Sequence, residues 1–390
     1  MKKIIALVLV LAMSVMLFAG CAGESTAPAT PATPATNDSP ASNEKQEVAP
    51  VYRIGVILYG KDDTLGGRIY SLINSAAAAL NCEVTWALGD YDPTAQLASA
   101  ENLIAAGVDG LLFMPLAEAS SQRIGALCEK NEVHFGVLLR GFSDENINKE
   151  LRANPYFAGN ILGDDNGNAK ELSRILMEEY GKKELCIVYA AEGSSMALRN
   201  IGIKDAMAEC GGNQLAETTI GDNVAALIPD IQNFVNTNPS MDGIISASGG
   251  NGVGESIGNL LVSMKTENIK YACFDTFEGM QTAFENGTLG AVCGGQAPAA
   301  VYLFSLLYNA IDGHALTETG EELLMTYMFL RSAEEAENYL KYIDNPEIEL
   351  YSAEEIRNMT VRYNEAFNYE ALKEVMAEYT YQNIIGKVNN

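Results

Sequence analysis

The stretch Val108-Asp109-Gly110-Leu111-Leu112-Phe113 decides the fold. It follows a helical pattern and enters a short apolar run, the signature of a helix feeding a buried strand. Met241-Asp242-Gly243-Ile244-Ile245-Ser246 does the same later in the chain. The match is too short to prove duplication, and it fits one lobe design used twice.

Outward from these two stretches, short apolar runs alternate with amphipathic ones from Tyr52 onward. Strands are predicted at Arg53–Leu58, Glu83–Leu88, Gly110–Met114, Val133–Leu139, Leu185–Ala190, Gly243–Ala247, Ile269–Phe274 and Leu289–Cys293. Each is short and apolar, as in a sheet covered on both faces. Ile69, Leu72, Ile73, Ala76, Ala77 and Leu80 fall at spacings of three, four and seven, and so share one helix face. Leu303, Phe304, Leu307, Ala310 and Ile311 do likewise. Repeated strand-helix-strand order predicts an α/β fold of parallel sheets with helices on both faces. After Gly313 the pattern changes. Leu323–Leu330 reads as one more strand, and Glu334–Tyr342, Ala353–Phe367 and Glu370–Tyr379 read as C-terminal helices. Ser352 and Glu355 predict a capping box at the second of these.

The N-terminus bears on location. Lys2 and Lys3 precede the apolar run Ile4–Phe18, and Leu17-Phe18-Ala19-Gly20-Cys21 follows. That order predicts a bacterial secretory signal over residues 1–20. The apolar run falls short of the about 20 residues that a membrane span takes. Residues 21–50 are rich in Ala, Thr, Pro, Ser and Asn, with almost no large apolar side chain. Such a segment cannot bury enough surface to fold, and it reads as a tether. About 340 residues then remain, enough for two lobes. The formal charge of −26 argues against nucleic acid and against an anionic membrane face as partners.

Beyond Cys21 there are six cysteines: Cys82, Cys128, Cys186, Cys210, Cys273 and Cys293. In a domain this large most read as small buried thiols rather than a disulfide framework. With His134 and His314 the only histidines, no zinc-type cluster has recognisable spacing, and neither a metal nor another cofactor is expected. Gly254-Glu255-Ser256-Ile257-Gly258 fits the G-x-S-x-G pattern of serine hydrolases. That chemistry needs the serine on a tight turn directly after a strand, whereas Ser256 falls inside the next helix. Gly249–Gly254 lacks the spacing of a nucleotide-phosphate loop, leaving a helix start whose free N–H groups could hold a polar or anionic group.

Several segments, in order and spacing, resemble the sugar-binding periplasmic proteins of type I fold, the ribose- and galactose-binding group. They are Asp92–Leu97, Glu101–Gly110, Met114-Pro115, Gly163-Asp164-Asp165, Ala197–Ile203, Phe274-Asp275, Glu285–Leu289 and Gly295–Pro298. Cys21 after Ala19-Gly20 resembles the lipid-modified cysteine of bacterial lipoproteins, with Phe18 a departure from that pattern. The sugar-binder resemblance covers roughly Tyr52 to His314. It implies two similar lobes joined by a multi-strand hinge, with ligand held between them by Arg140, Arg199, Asp275 and Gln296. Taken alone, Arg140 also suits an ion pair, Arg199 a helix-face charge, Asp275 the cap of the next helix, and Gln296 a hinge position. Departures bear on the ligand. Tyr59–Gly66 lacks the family's stacking aromatics except Tyr59, and Asp62 or Asp63 stands where a polar contact is expected. Leu139 replaces an aspartate before Arg140. Ser246–Gly252 replaces an asparagine-aspartate strand end, leaving Ser248 as the candidate contact there.

The expected organisation is a first lobe over 51–155 and 298–324 and a second over 156–297 and 325–390, with the helical tail packed on the second. The resemblance implies a monomeric, non-enzymatic, lipid-anchored binding protein facing the periplasm or cell exterior. It would trap a small polar, carbohydrate-like ligand by hinge closure and deliver it to the permease of an ABC-type importer. A sensor that presents its closed form to a membrane receptor would use the same fold. A hydrolase built on Ser256 is the rival from another class.

Overall fold

A computed structural model describes residues 50–89, 92–142, 144–191, 196–220, 224–317 and 322–388. The signal, Cys21 and the tether through residue 49 lie outside the described residues. The first sheet holds β1 (Arg53–Leu58), β2 (Glu83–Leu88), β3 (Gly110–Phe113), β4 (His134–Leu139), β5 (Phe157–Gly163) and β11 (Glu322–Met325). Its order is β11-β5-β4-β3-β1-β2, parallel throughout. The second holds β6 (Glu184–Tyr189), β7 (Asn213–Thr219), β8 (Gly243–Ser246), β9 (Lys270–Phe274), β10 (Leu289–Gly294) and β12 (Met328–Leu330). Its order is β12-β10-β9-β8-β6-β7, with only β12 antiparallel.

Helices α1 (Thr64–Ala79), α2 (Pro93–Ala105), α3 (Glu118–Lys130) and α4 (Glu145–Ala153) link the first five strands. α5 (Asp165–Arg174, continued by a π turn over Ile175–Glu179), α6 (Ala197–Cys210), α7 (Val224–Thr237), α8 (Val253–Met264) and α9 (Met280–Glu285) serve the second sheet. α10 (Ala299–Ile311) returns to the first. Alternation along the strands places the cores. Ile57, Leu111, Phe113, Phe135 and Val137 pack with Leu97, Leu103 and Ile124 of α2 and α3. Val56, Leu112 and Leu138 face the other way, toward Ile73 of α1 and Leu303 of α10. Asp63, Asp92, Asp144 and Asp164 each accept a hydrogen bond from the first turn of the helix they precede. Part of the acidic composition is thus helix capping.

Three crossovers join the sheets: β5 to α5, β10 to α10, and β11 to β12. The first corrects the expected boundary. β5 pairs with β4 in the first sheet (Val137 opposite Asn160), so the chain changes lobe after Gly163 rather than at residue 156. Likewise Leu323–Leu330 is not one strand. β11 and β12 lie in different sheets, and Met325 still pairs in the first, opposite Gly163. Tyr327, between them, lies over Gly163, where a Cβ would stand 1.7 Å from its Oη. Only glycine admits that approach.

The tail also differs from expectation. α11 (Ala333–Asn338, continued by a π turn over Tyr339–Ile343) packs on α9 of the second lobe, but α12 (Ala353–Asn358) packs on α1 of the first. Arg357 Nε donates to Ala79 O at 3.0 Å, and Arg362 Nε donates to Asp312 Oδ1 at 3.0 Å. The tail therefore straddles both lobes. Ser352 and Glu355 do form the capping box. The expected helix Ala353–Phe367 stops at Asn358 because Asn309 of α10 takes over its next backbone groups: Asn309 Nδ2 donates to Met359 O at 3.1 Å, and Val361 N donates to Asn309 Oδ1 at 2.8 Å. α13 (Tyr369–Ala377) and α14 (Tyr381–Val388) end the described chain. The six described cysteines are free, and burial pushes the thiols of Cys82, Cys128 and Cys186 up to about 12.

Candidate functional site

Parallel sheets place loops, and hence ligand groups, beyond the carboxyl ends of their strands. β4 ends in Leu139 with φ 65°, and Asp275, directly after β9, has φ 62°. Positive φ is uncommon for such residues and marks strand ends bent for a purpose other than pairing. Arg140 follows the first bend, and Asp275 is itself the second.

Around Asp275 the second lobe builds a dense polar cluster. Ser248 Oγ, beyond β8, donates to Asp275 Oδ2 at 2.7 Å, and Gln296 Nε2, in the β10–α10 crossover, donates to Oδ1 at 2.6 Å. Arg199 Nη1 on α6 lies 3.3 Å from Asp275 Oδ2 and donates to Ala247 O at 2.8 Å. Its Nε donates to Asp165 Oδ1 at 2.8 Å, and its guanidinium lies 4.0 Å over the Phe274 ring. Arg199 is fully buried, so it is not a helix-face charge. Nor does Asp275 cap α9, whose N-cap is Gly279.

Electrostatics follow from this packing. Burial opposes the charge on Arg199, but Asp165 and Asp275 outweigh it and hold the guanidinium protonated. Burial alone would raise the Asp275 carboxyl, yet Arg199, Ser248, Arg140 and Gln296 together hold it below the usual carboxylate range. Arg140 thus acts on Asp275 from the other lobe. Its side chain is buried, and its Nη1 has no hydrogen-bond partner among the described residues.

The structure does not draw every expected residue into this cluster. Tyr59 Oη donates to Asp63 Oδ1 at 2.8 Å, Asp63 caps α1, and Asp62 is exposed beside it at the carboxyl end of β1. The start of α8 is no anion cradle. Val253 N donates to Gly250 O at 3.1 Å and Gly254 N to Gly249 O at 2.9 Å, so its leading N–H groups are engaged. Ser256 lies within α8, and His314 follows α10 in the first lobe, so the two do not share a site.

Four residues of the neighbourhood were not among the expected ligand contacts. Asp165 pairs with Arg199, while its neighbour Asp164 caps α5. Asn160 Nδ2 donates to Arg140 O at 3.3 Å. Tyr327 N donates to Asn168 Oδ1 at 3.4 Å, and its Oη donates to Gln296 Oε1 at 3.5 Å. A chain of contacts thus runs from a crossover through Gln296 to Asp275.

The profile of the periplasmic binding protein domain family matches residues 54–315. Among curated proteins, none matches this sequence. Solved structures share the fold at low identity. An ABC transporter solute-binding protein from Agrobacterium vitis, bound with alpha-D-tagatopyranose, is 17% identical with TM-score 0.62, over 74% of this chain and 96% of that one. One from Bacillus halodurans C-125, with bound myo-inositol, is 17% identical with TM-score 0.61, over 75% and 99%. A periplasmic sugar-binding protein from Pseudomonas fluorescens is 14% identical with TM-score 0.70, over 86% and 100%.

A group whose folded pKa is depressed stabilises the fold above its unfolded value, and that contribution is lost as pH falls through the folded value. Asp275 is such a group. Thermal melts from pH 6 down to pH 2 test it. The wild type should lose stability more steeply than Asp275→Asn below about pH 4, and parallel curves would contradict the assigned pairing.

Proposed function

We propose a function from one premise: this chain belongs to the periplasmic binding protein family, a family of binding proteins rather than enzymes. The protein is an extracytoplasmic solute-binding lipoprotein. It traps a small, uncharged, polyhydroxylated ligand between its lobes and delivers it to an ABC-type importer.

One observation carries the ligand class. The charges gathered around Asp275 balance: Arg199 pairs with both Asp165 and Asp275, and Arg140 adds a second cation whose charge acts on Asp275. A charge-balanced cluster offers acceptors from a carboxylate and donors from guanidinium and amide groups, which suits hydroxyls that both donate and accept. An anion would add an unbalanced negative charge beside Asp275. The tagatose- and inositol-bound neighbours support the same class. A ligand that touches Asp275 and Arg140 together finds both only when the lobes come together, so binding selects the closed arrangement. Lipidation of Cys21 would hold the protein at the membrane on the tether that follows it.

Thermal-shift screening of D-tagatose, D-allose, D-arabinose, myo-inositol, nucleosides and small carboxylates tests the ligand class, since a ligand of the folded state raises the melting temperature. A sugar or polyol should be the hit. Asp275→Ala and Arg140→Ala should each weaken it roughly 5- to 150-fold, the cost of stranding buried polar partners, while Ser256→Ala leaves affinity unchanged. Binding by carboxylates alone, or unchanged affinity in both cleft variants, contradicts the reading. For the anchor, Cys21→Ser should yield a released protein or an unprocessed precursor, because firm anchoring needs more than one acyl chain. A processed, acyl-labelled, membrane-bound Cys21→Ser protein would contradict lipidation there.

A further inference from the structure

The family match ends at residue 315, yet the chain beyond it reaches the ligand aspartate's immediate neighbour. Thr276, the residue after Asp275, donates from Oγ1 to Asp344 Oδ2 at 2.7 Å. Asp344 follows the π turn that continues α11. It is 8% exposed, and its backbone N donates to Tyr339 O at 3.0 Å. Tyr339 itself is buried, and burial together with the nearby Asp344 carboxylate raises its phenol well above the usual value. Gly294 of β10 makes room for this junction: a Cβ there would stand 2.6 Å from Thr276 Cγ2 and 3.3 Å from Tyr339 Oη.

The segment that carries Asp344 is held from the other side. Arg68 of α1, in the first lobe, is 1% exposed and donates from Nη1 to Asn345 O at 2.6 Å and Ile348 O at 2.9 Å. Ser71 Oγ donates to Pro346 O at 2.7 Å. Two successive residues, Asp344 and Asn345, therefore touch opposite lobes. Burial pushes the Asp344 carboxyl up to about 6 against the pull of Thr276, Tyr339 and Arg68, so a costly buried carboxylate is kept at this point.

We infer that Asp344 is a positioning residue for the ligand site: through Thr276 it holds the bent end of β9, and with it the Asp275 carboxylate, in the geometry that meets ligand. The strand end that carries Asp275 is thereby braced by a segment that lies beyond the matched residues 54–315. The consequence for binding rests on the function proposed above, whereas the brace itself can be measured without ligand.

The Asp275 amide donates to Cys293 O at 2.8 Å and reports on this strand end. Hydrogen-exchange mass spectrometry on the ligand-free full chain follows a peptide spanning 272–278, with one spanning 53–58 of β1 as reference. Thr276→Val, which keeps shape and removes the donor, should speed exchange at 275–277 about tenfold, the effect of losing one buried hydrogen bond, and leave β1 unchanged. Thr276→Ser, which keeps the donor, should restore the wild-type rate. On an Asp344→Ala background, Thr276→Val should add nothing. Unchanged exchange in Thr276→Val, an equal acceleration in β1, or failure of Thr276→Ser to rescue would each overturn the brace. Because no ligand is used, these results stand apart from any failure to find a sugar.

Discussion

The buried guanidinium of Arg199 is the constraint on which the polar cluster of the second lobe depends. A cation with no exposed surface is tolerable only with anionic partners and hydrogen bonds in place. Asp165, Asp275 and the Ala247 carbonyl supply them, and the Phe274 ring covers its face. Those groups come from the start of α5, the end of β9 and the end of β8, so one side chain on α6 fixes three separate pieces of backbone. Breaking such an arrangement by removing one partner costs several times more than a surface pair would, about 3–5 kcal/mol. Order at this end of the second lobe is a by-product of keeping the Arg199 charge compensated.

The hinge is linked to this centre rather than independent of it. Tyr327, in the β11–β12 crossover, reaches Gln296 in the β10–α10 crossover, and Gln296 holds Asp275. Asp164 N, in the β5–α5 crossover, donates to Met325 O at 3.3 Å. A change of lobe angle must act on these contacts, and they end on the carboxylate that would meet ligand. A ligand held by Asp275 would share hydrogen-bonding groups with the hinge, a direct physical route for binding to bias lobe position.

Much of the fold is legible in sequence because parallel strands covered on both faces are uninterrupted apolar runs. Arg53–Leu58, buried after its first residue, could be placed to the residue on that basis, and Glu83–Leu88 is placed to the residue although it is a half-exposed edge strand. The strands that escaped break the rule for identifiable reasons. β5 carries Gly159 and Asn160 within its run, and β7, Asn-Gln-Leu-Ala-Glu-Thr-Thr, is a polar edge strand. In the site, Arg199, Asp275, Gln296 and Ser248 come together because each follows or faces a strand end that the pattern marks. Asp164 and Asp165 are adjacent and chemically alike, and only packing decides which caps a helix and which pairs with Arg199. Asn168, Tyr327 and Asp344 arrive through crossovers and a tail whose course no local pattern encodes.

On the proposed function, a charge-balanced cluster around Asp275 tied to the hinge calls for a polar, uncharged ligand. Mass spectrometry of the small molecule released when protein purified from its native host is denatured measures this directly. The account predicts a neutral polyhydroxylated compound, present near one equivalent and lost from the Asp275→Ala protein. A carboxylate or phosphate released in its place would contradict it.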